Sequence, residues 1–243
     1  MDGIVTAGLT KRYKDVTAVE GLDLTVRQGE LFALLGVNGA GKTTTVRMLS
    51  CLTRPTAGDA LVAGKSVTDQ PRAVKALIGL SPQETAVAFH LTAEENLLFM
   101  AGVHGLDRRE ARARTEALAE KLGLGEVLDR RAGKLSGGWQ RRLSIAMALV
   151  PEPKVLFLDE PTLGLDVLAR AALWDVIRAL KGSVTVVLTT HYMEEAEALA
   201  DRVGVMAGGR LLRVGTVAEL KARTGTDRLE DAFLAIVKEA GRR

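Results

Sequence analysis

The stretch Leu31-Phe32-Ala33-Leu34-Leu35-Gly36-Val37-Asn38-Gly39-Ala40-Gly41-Lys42-Thr43-Thr44 decides the fold. Its five apolar residues read as a short buried strand. From Gly36 onward it fits G-x-x-x-x-G-K-[ST], a pattern that binds phosphate when a strand precedes it and a helix follows it. The glycines let the backbone curl until successive N–H groups face an anion. A helix expected over Lys42 to Leu52 begins with its free N–H groups and positive dipole end aimed at the same point. Lys42 is placed to bridge the β and γ phosphates of a nucleoside triphosphate, and the Thr43 hydroxyl to take a place on Mg2+. A glycine-rich turn that binds nothing is the plain alternative, but strand, loop, Lys-Thr pair and helix all agree against it.

Composition narrows the rest. At 243 residues the chain suits one large α/β domain, or a core with a smaller lobe. Apolar residues make up 47%, yet no uncharged apolar window is long enough to span a bilayer, so direct membrane insertion is not expected. Asp2 and Gly3 lead directly into a strand pattern and do not resemble a signal peptide. The single cysteine, Cys51, leaves no internal disulfide and reads as a small core residue late in the first helix. A net charge of +3 is too mild to imply a nucleic-acid partner.

Taken in order, Ile4 to Thr10 and Leu22 to Val26 read as strands. Tyr13 lies between them in a polar stretch, where a lone aromatic ordinarily has no ligand role. Ala60 to Ala63 and Leu77 to Leu80 are further strands, the latter stopped by Pro82. Gln83 then stands at a strand end, where a neutral amide can contact Mg2+ or a water; read alone it is a loop glutamine. From Leu91 to Val150 the pattern is helical. Thr92 and Glu95 have capping-box spacing, which makes Glu94 and Glu95 first-turn residues and not catalytic acids. Arginines over Asp107 to Leu122 interleave with glutamates, so that helix reads as a solvated face.

The helical stretch ends in Leu135-Ser136-Gly137-Gly138-Trp139. Ser136 is a good N-cap, and the glycines expose N–H groups at a second helix start built to receive an anion. A monomer has little use for two such sites on different lobes, whereas a dimer sharing its nucleotides does. Val155 to Leu158 is a buried strand ending in Asp159-Glu160. In open α/β sheets ligands bind beyond the carboxyl ends of the strands, so both acids fall beside the phosphate loop. Asp159 suits Mg2+, through water, and Glu160 can polarise the attacking water. Val184 to Leu188 ends at Thr189-Thr190-His191, where His191 can donate to a γ-phosphate. A hairpin turns at Gly208-Gly209, and a C-terminal appendage carries Phe233, Leu234 and Val237 as its apolar positions.

In this order the motifs resemble the ATP-binding subunit of an ABC transporter, over almost the whole chain. The run from Thr189 to Ala196 and the short C-terminal extension are similar to the ABC-2, drug-exporter-like branch. The resemblance implies a P-loop NTPase, RecA-like core with a mixed sheet, an N-terminal antiparallel β part and an inserted helical subdomain. The ABC ATPase domain would cover 1–215, with the helical insert over about 88–150 and a helical extension over 216–243. It implies ATP and Mg2+, with Tyr13 stacking on adenine and Asn38, Gly39, Ala40, Gly41, Lys42, Thr43 and Thr44 wrapping the phosphates. Thr43, Gln83 and Asp159 would serve the metal, Glu160 would be the catalytic base, and His191 would contact the γ-phosphate. Ser136, Gly137 and Gly138 would close over the nucleotide of a second, identical ATPase subunit, and Asp166 would cross that interface. A separate transmembrane permease would hold the chain peripherally at the cytoplasmic face of the cell membrane, with a cleft near Gln83 receiving a short permease helix.

Trp139, Val37 and Val167 replace residues common in the family, and none of them removes a phosphate or Mg2+ ligand. A soluble ATPase acting on DNA or ribosomes is the alternative, and it usually carries a long coiled coil or tandem domains, absent here. The second-anion motif, and the lack of an Asn-Lys-x-Asp base-reading motif, argue against a P-loop kinase or GTPase. Glu160 and His191 together argue against a purely structural ATP-binding module.

Overall fold

The computed structural model describes residues 2–241. β1 (Asp2–Tyr13) and β2 (Val16–Arg27) form a long hairpin, and β3 (Leu31–Leu35) leads into α1 (Lys42–Leu49). After β4 (Ala57–Val62), β5 (Lys65–Ser66) and α2 (Pro71–Lys75) comes β6 (Ile78–Ser81). Three helices follow: α3 (Ala93–Val103), α4 (Arg108–Lys121) and α5 (Gly137–Leu149). The chain then alternates through β7 (Val155–Asp159), α6 (Val167–Arg178), β8 (Thr185–Thr190) and α7 (Met193–Leu199). A second hairpin, β9 (Arg202–Ala207) and β10 (Arg210–Gly215), precedes α8 (Val217–Thr224) and α9 (Leu229–Ala240).

Two sheets result. One is antiparallel, in the order β2-β1-β4-β5. The other runs β10-β9-β3-β8-β7-β6 and is parallel apart from β10, which gives the mixed sheet and separate antiparallel part expected of the α/β core. Strand periodicity explains its two faces, because alternate side chains point to opposite sides. Leu31, Ala33 and Leu35 join Leu156, Leu158, Val186 and Leu188 in a core shared with helices α3 to α7. Phe32 and Leu34 join Val155, Phe157 and Val187 in a second core, against α1 and the antiparallel sheet. With both faces covered, β3, β7 and β8 are buried along their whole length, as continuous apolar runs predict.

Register brings the functional ends of the strands together. Leu35 pairs with Thr190 and Asp159 with Thr189, so Gly36, Glu160 and His191 leave the sheet side by side. The helical stretch is held by capping boxes at Thr92/Glu95 and Asp107/Glu110. Several expectations need correction. Tyr13 is the last residue of β1, not a member of a polar stretch between strands, because cross-strand pairing continues to Tyr13 and Val16. Helix α1 ends at Leu49, and Cys51 lies beyond it at φ 56°, half-buried, with burial pushing its thiol pKa up. The apolar positions of α9 do not share one environment: Phe233 is buried and Leu234 exposed, since neighbouring helix positions point about 100° apart.

Candidate functional site

The phosphate loop owes its shape to two close approaches. Gly41 has φ 102°, and a Cβ there would lie 2.5 Å from the carbonyl oxygen of Ala18. At Gly36 a Cβ would collide with the Met206 carbonyl oxygen. Only glycine fits either position. Lys42, the first residue of α1, is buried, and its ammonium donates to the carbonyls of Gly36 (2.7 Å) and Val37 (3.2 Å). It also pairs with Glu160 Oε1 at 3.2 Å.

The acids of the β7 end are fixed by their neighbours. Asp159 Oδ1 accepts from the Thr43 hydroxyl at 3.1 Å and from the Thr189 hydroxyl at 2.5 Å. The amide of Glu160 donates to the same Thr189 oxygen at 3.0 Å and to the Thr189 carbonyl at 3.1 Å. Glu160 adopts φ 50°, a left-handed conformation that is costly for a residue with a Cβ and that concentrates at functional sites. Its Oε2 sits 2.6 Å from His191 Nδ1. Carboxylate, ammonium and imidazole therefore converge on one point, an arrangement able to orient a water and hold an anionic phosphate oxygen.

Around them opens a cleft of about 690 Å³, lined by Tyr13, Asn38 to Thr44, Gln83, Glu160 and His191. Val16, Thr17 and Ala18 of β2, Leu163, and Gly208 and Gly209 of the second hairpin complete the wall. Sequence reasoning assigned none of this second set, because long-range pairing brings them in: Glu20 N donates to Gly209 O and Gly209 N to Ala40 O. Two further residues escaped notice. Thr189 links both acids, and the buried guanidinium of Arg141 on α5 donates to the carbonyls of Pro82 (2.7 Å) and Gln83 (2.6 Å), fixing the Gln83 loop. Burial lowers the Arg141 pKa, and nearby Asp159 opposes that shift.

Ser136, Gly137, Gly138 and Asp166 stand apart from this cleft. Ser136 occupies the N-cap position of α5, but its side chain makes no capping bond, contrary to the expectation of a hydroxyl cap. Asp166 caps α6 by accepting from Ala169 N at 2.8 Å.

The family model described as ABC transporter matches residues 19–163. The chain belongs to the ABC transporter family. A daunorubicin resistance ATP-binding protein, DrrA3 of Streptomyces coeruleorubidus, is 46% identical over 98% of this chain and 74% of its own length. A doxorubicin resistance ATP-binding protein, DrrA of Mycobacterium tuberculosis, is 43% identical over 96% of this chain and 70% of its own. Among solved structures, an ATP binding subunit of an ABC transporter superposes with TM-score 0.84 at 28% identity, covering 96% of this chain and 99% of that one. The ATP-binding cassette MJ0796, dimeric with ADP and Pi, matches with TM-score 0.79 at 25% identity over 88% and 98%. The ABC-2, drug-exporter-like resemblance agrees with these relatives, and this chain is an ABC ATP-binding subunit with ATPase activity. The relatives named for drug resistance, and the solved structure named as an ABC transporter subunit, do not favour the DNA- or ribosome-acting alternative. Among the described residues no helix is long and apolar enough to cross a membrane.

Proposed function

We propose that two copies of this chain close head to tail over two ATP molecules, and that closure and hydrolysis drive export by a separate transmembrane permease. The observation that carries this reading is the separation of two half-sites. The phosphate loop, Gln83, Glu160 and His191 line the cleft, while the Ser136-Gly137-Gly138 helix start and Asp166 stand outside it. A second copy related by a two-fold axis would bring each set over the other's nucleotide. Val167 and Leu168, 74% and 82% exposed beside Asp166, supply apolar surface for that contact.

Within the cleft, Tyr13 stacks on adenine, Asn38 to Thr44 wrap the phosphates and Lys42 bridges β and γ. Glu160 takes the proton of the attacking water, and His191 orients Glu160 and contacts the γ-phosphate. The Thr43 hydroxyl and Asp159 carboxylate are hard oxygen donors 3.1 Å apart, with the Gln83 amide on the rim, a set that fits Mg2+. Held there, Mg2+ would neutralise charge on the phosphate oxygens.

The division into an ATPase domain over 1–215, a helical insert over about 88–150 and an extension over 216–243 is part of the proposal; residues 1, 242 and 243 lie outside the described residues. An apolar groove of about 170 Å³ beside the Gln83 loop, lined by Ile78, Leu80, Ala86, Met100 and Met147, would receive the permease helix. Phe99 and Val103, 58% and 62% exposed on α3, add apolar surface on that helical face. The chain would thus sit at the cytoplasmic face of the cell membrane. Relatives named for daunorubicin and doxorubicin resistance support a drug of that kind as cargo.

Sedimentation of Glu160→Gln with and without Mg2+ and ATP tests the reading. Without its base the variant should trap unhydrolysed ATP and sediment as a dimer only with nucleotide. A monomeric mass at saturating ATP would refute closure of this chain upon itself.

A further inference from the structure

Glu195 is a fully buried acid that no step above uses. It lies on α7 with no exposed surface, and Trp174 Nε1 of α6 donates to its Oε1 at 3.2 Å. Its other oxygen, Oε2, makes no hydrogen bond of ordinary length, and neither does the buried Oγ1 of Thr162. The Thr162 and Thr190 hydroxyls lie close enough to favour the charged form of Glu195 weakly, but burial outweighs them and raises its pKa. Its charged neighbour is the Glu160 carboxylate, which acts in the same direction. Arg170, on the same helix as Trp174, pairs with Glu194 instead, at 3.6 Å. Burial beside another carboxylate favours the neutral form of the Glu195 carboxyl.

The position of this acid matters because it lies beside two segments that leave the active site. Thr162 lies in the turn that begins at Glu160, closed by Leu163 N donating to the Glu160 carbonyl at 3.2 Å, and that turn runs on to Asp166. Thr190 immediately precedes His191, and its hydroxyl accepts from Tyr192 N at 2.9 Å. A protonated carboxyl has one O–H to give and retains acceptor capacity. Donation from Oε2 to Thr162 Oγ1, with Oε1 accepting from Trp174, would satisfy both orphaned atoms at once.

We propose that Glu195 is a proton-bearing positioning residue that pins the turn Pro161–Asp166 to the segment carrying His191, so that the γ-phosphate contact and the loop at the dimer interface move as one body. The pin itself is a property of the single chain; its coupling of His191 to the interface rests on the dimer reading given above.

Two variants separate the pin from mere packing. Glu195→Gln has the same shape, donates to Thr162 through its amide and accepts from Trp174, so it should keep at least about half of the wild-type kcat. Glu195→Leu fills the site but cannot hydrogen-bond; its kcat should fall about tenfold while KM for ATP stays within about twofold, because the phosphate loop is untouched. Infrared difference spectra of wild type minus Glu195→Gln, recorded on the nucleotide-free chain near neutral pH, should show a protonated carboxylic acid carbonyl band. A carboxylate band there would overturn the proposal, as would Glu195→Gln losing as much activity as Glu195→Leu, or Glu195→Leu retaining wild-type kcat. If Glu195→Leu does not fold, the spectrum and Glu195→Gln still decide. The spectrum is read without ATP or a partner subunit, so a failed dimer test would leave it unaffected.

Discussion

Replacing Thr189 by Val removes one hydroxyl and leaves the shape and strand preference of the side chain nearly unchanged. That hydroxyl donates to Asp159 Oδ1 at 2.5 Å and accepts from Glu160 N at 3.0 Å, in a position with no exposure. The two bonds do not count equally. Glu160 N keeps the Thr189 carbonyl at 3.1 Å, whereas Asp159 Oδ1 is left with the Thr43 hydroxyl alone, at 3.1 Å. The loss is therefore one hydrogen bond to a charged group, about 2 kcal/mol. In a protein of this size 1 kcal/mol shifts Tm by roughly 2–4 °C, so calorimetry should find Thr189→Val melting about 4–8 °C below wild type. Asp159 and Glu160 would both lose a restraint, and kcat should fall with the melting point. Thr189→Ser keeps the hydroxyl and loses only a methyl, about 0.8 kcal/mol, and should retain most of the activity. The reasoning fails if Thr189→Val melts and turns over like wild type, or if Thr189→Ser is equally impaired.

Arg141→Met abolishes the bonds to the Pro82 and Gln83 carbonyls at 2.7 and 2.6 Å while retaining an apolar stem, so steady-state kinetics should show kcat falling more than KM for ATP as Gln83 loses its fixed loop. In Gly79→Ala the new Cβ would overlap the Ala148 carbonyl oxygen and lie 3.2 Å from Leu156 Cδ1. Overpacking against helix backbone should cost about 3 kcal/mol, read as a Tm lowered by roughly 6–12 °C. The raised pKa of Glu195 also predicts a pH dependence of stability. Above the ordinary value near 4.5 the unfolded chain has released this proton while the folded chain still holds it, so stability falls as pH rises from there toward the folded pKa. Urea unfolding of wild type and Glu195→Gln across that range should show the slope in wild type and its loss in the variant.

How much of this was legible in the sequence depends on how far apart the cooperating residues lie. The phosphate loop is local: strand, glycines, Lys42 and Thr43 form one run, and β3 and α1 fall where the pattern puts them, apart from the last turn of α1. The gathering of Asp159, Glu160 and His191 was also legible, since each ends an apolar run and parallel register aligns such ends. The bonds that fix those groups are another matter. Thr189 is the penultimate residue of a buried strand, and nothing in Leu188-Thr189-Thr190 distinguishes the threonine that bonds Asp159 from the one that bonds Tyr192. The register decides it, by placing Thr189 opposite Asp159. Arg141 reads as one more charge after a helix start, because its acceptors are main-chain carbonyls 58 and 59 residues away and carbonyls carry no sequence signature.

Glu195 is the sharpest case. Between Glu194 and Glu197 it reads as the surface of an acidic helix, yet it is fully buried while both of those neighbours are exposed. Helical geometry alone would put one position of such a run inward. An apolar residue would be the ordinary occupant of that position. A carboxyl there instead faces a hydroxyl on the turn after Glu160 and another beside His191, and neither partner can be inferred from the helix that carries the acid. Groups proposed to take part in the chemistry lie at strand ends, where a linear pattern exposes them. Those that hold them in place act across the fold, and their role follows from which buried polar atoms are left without partners.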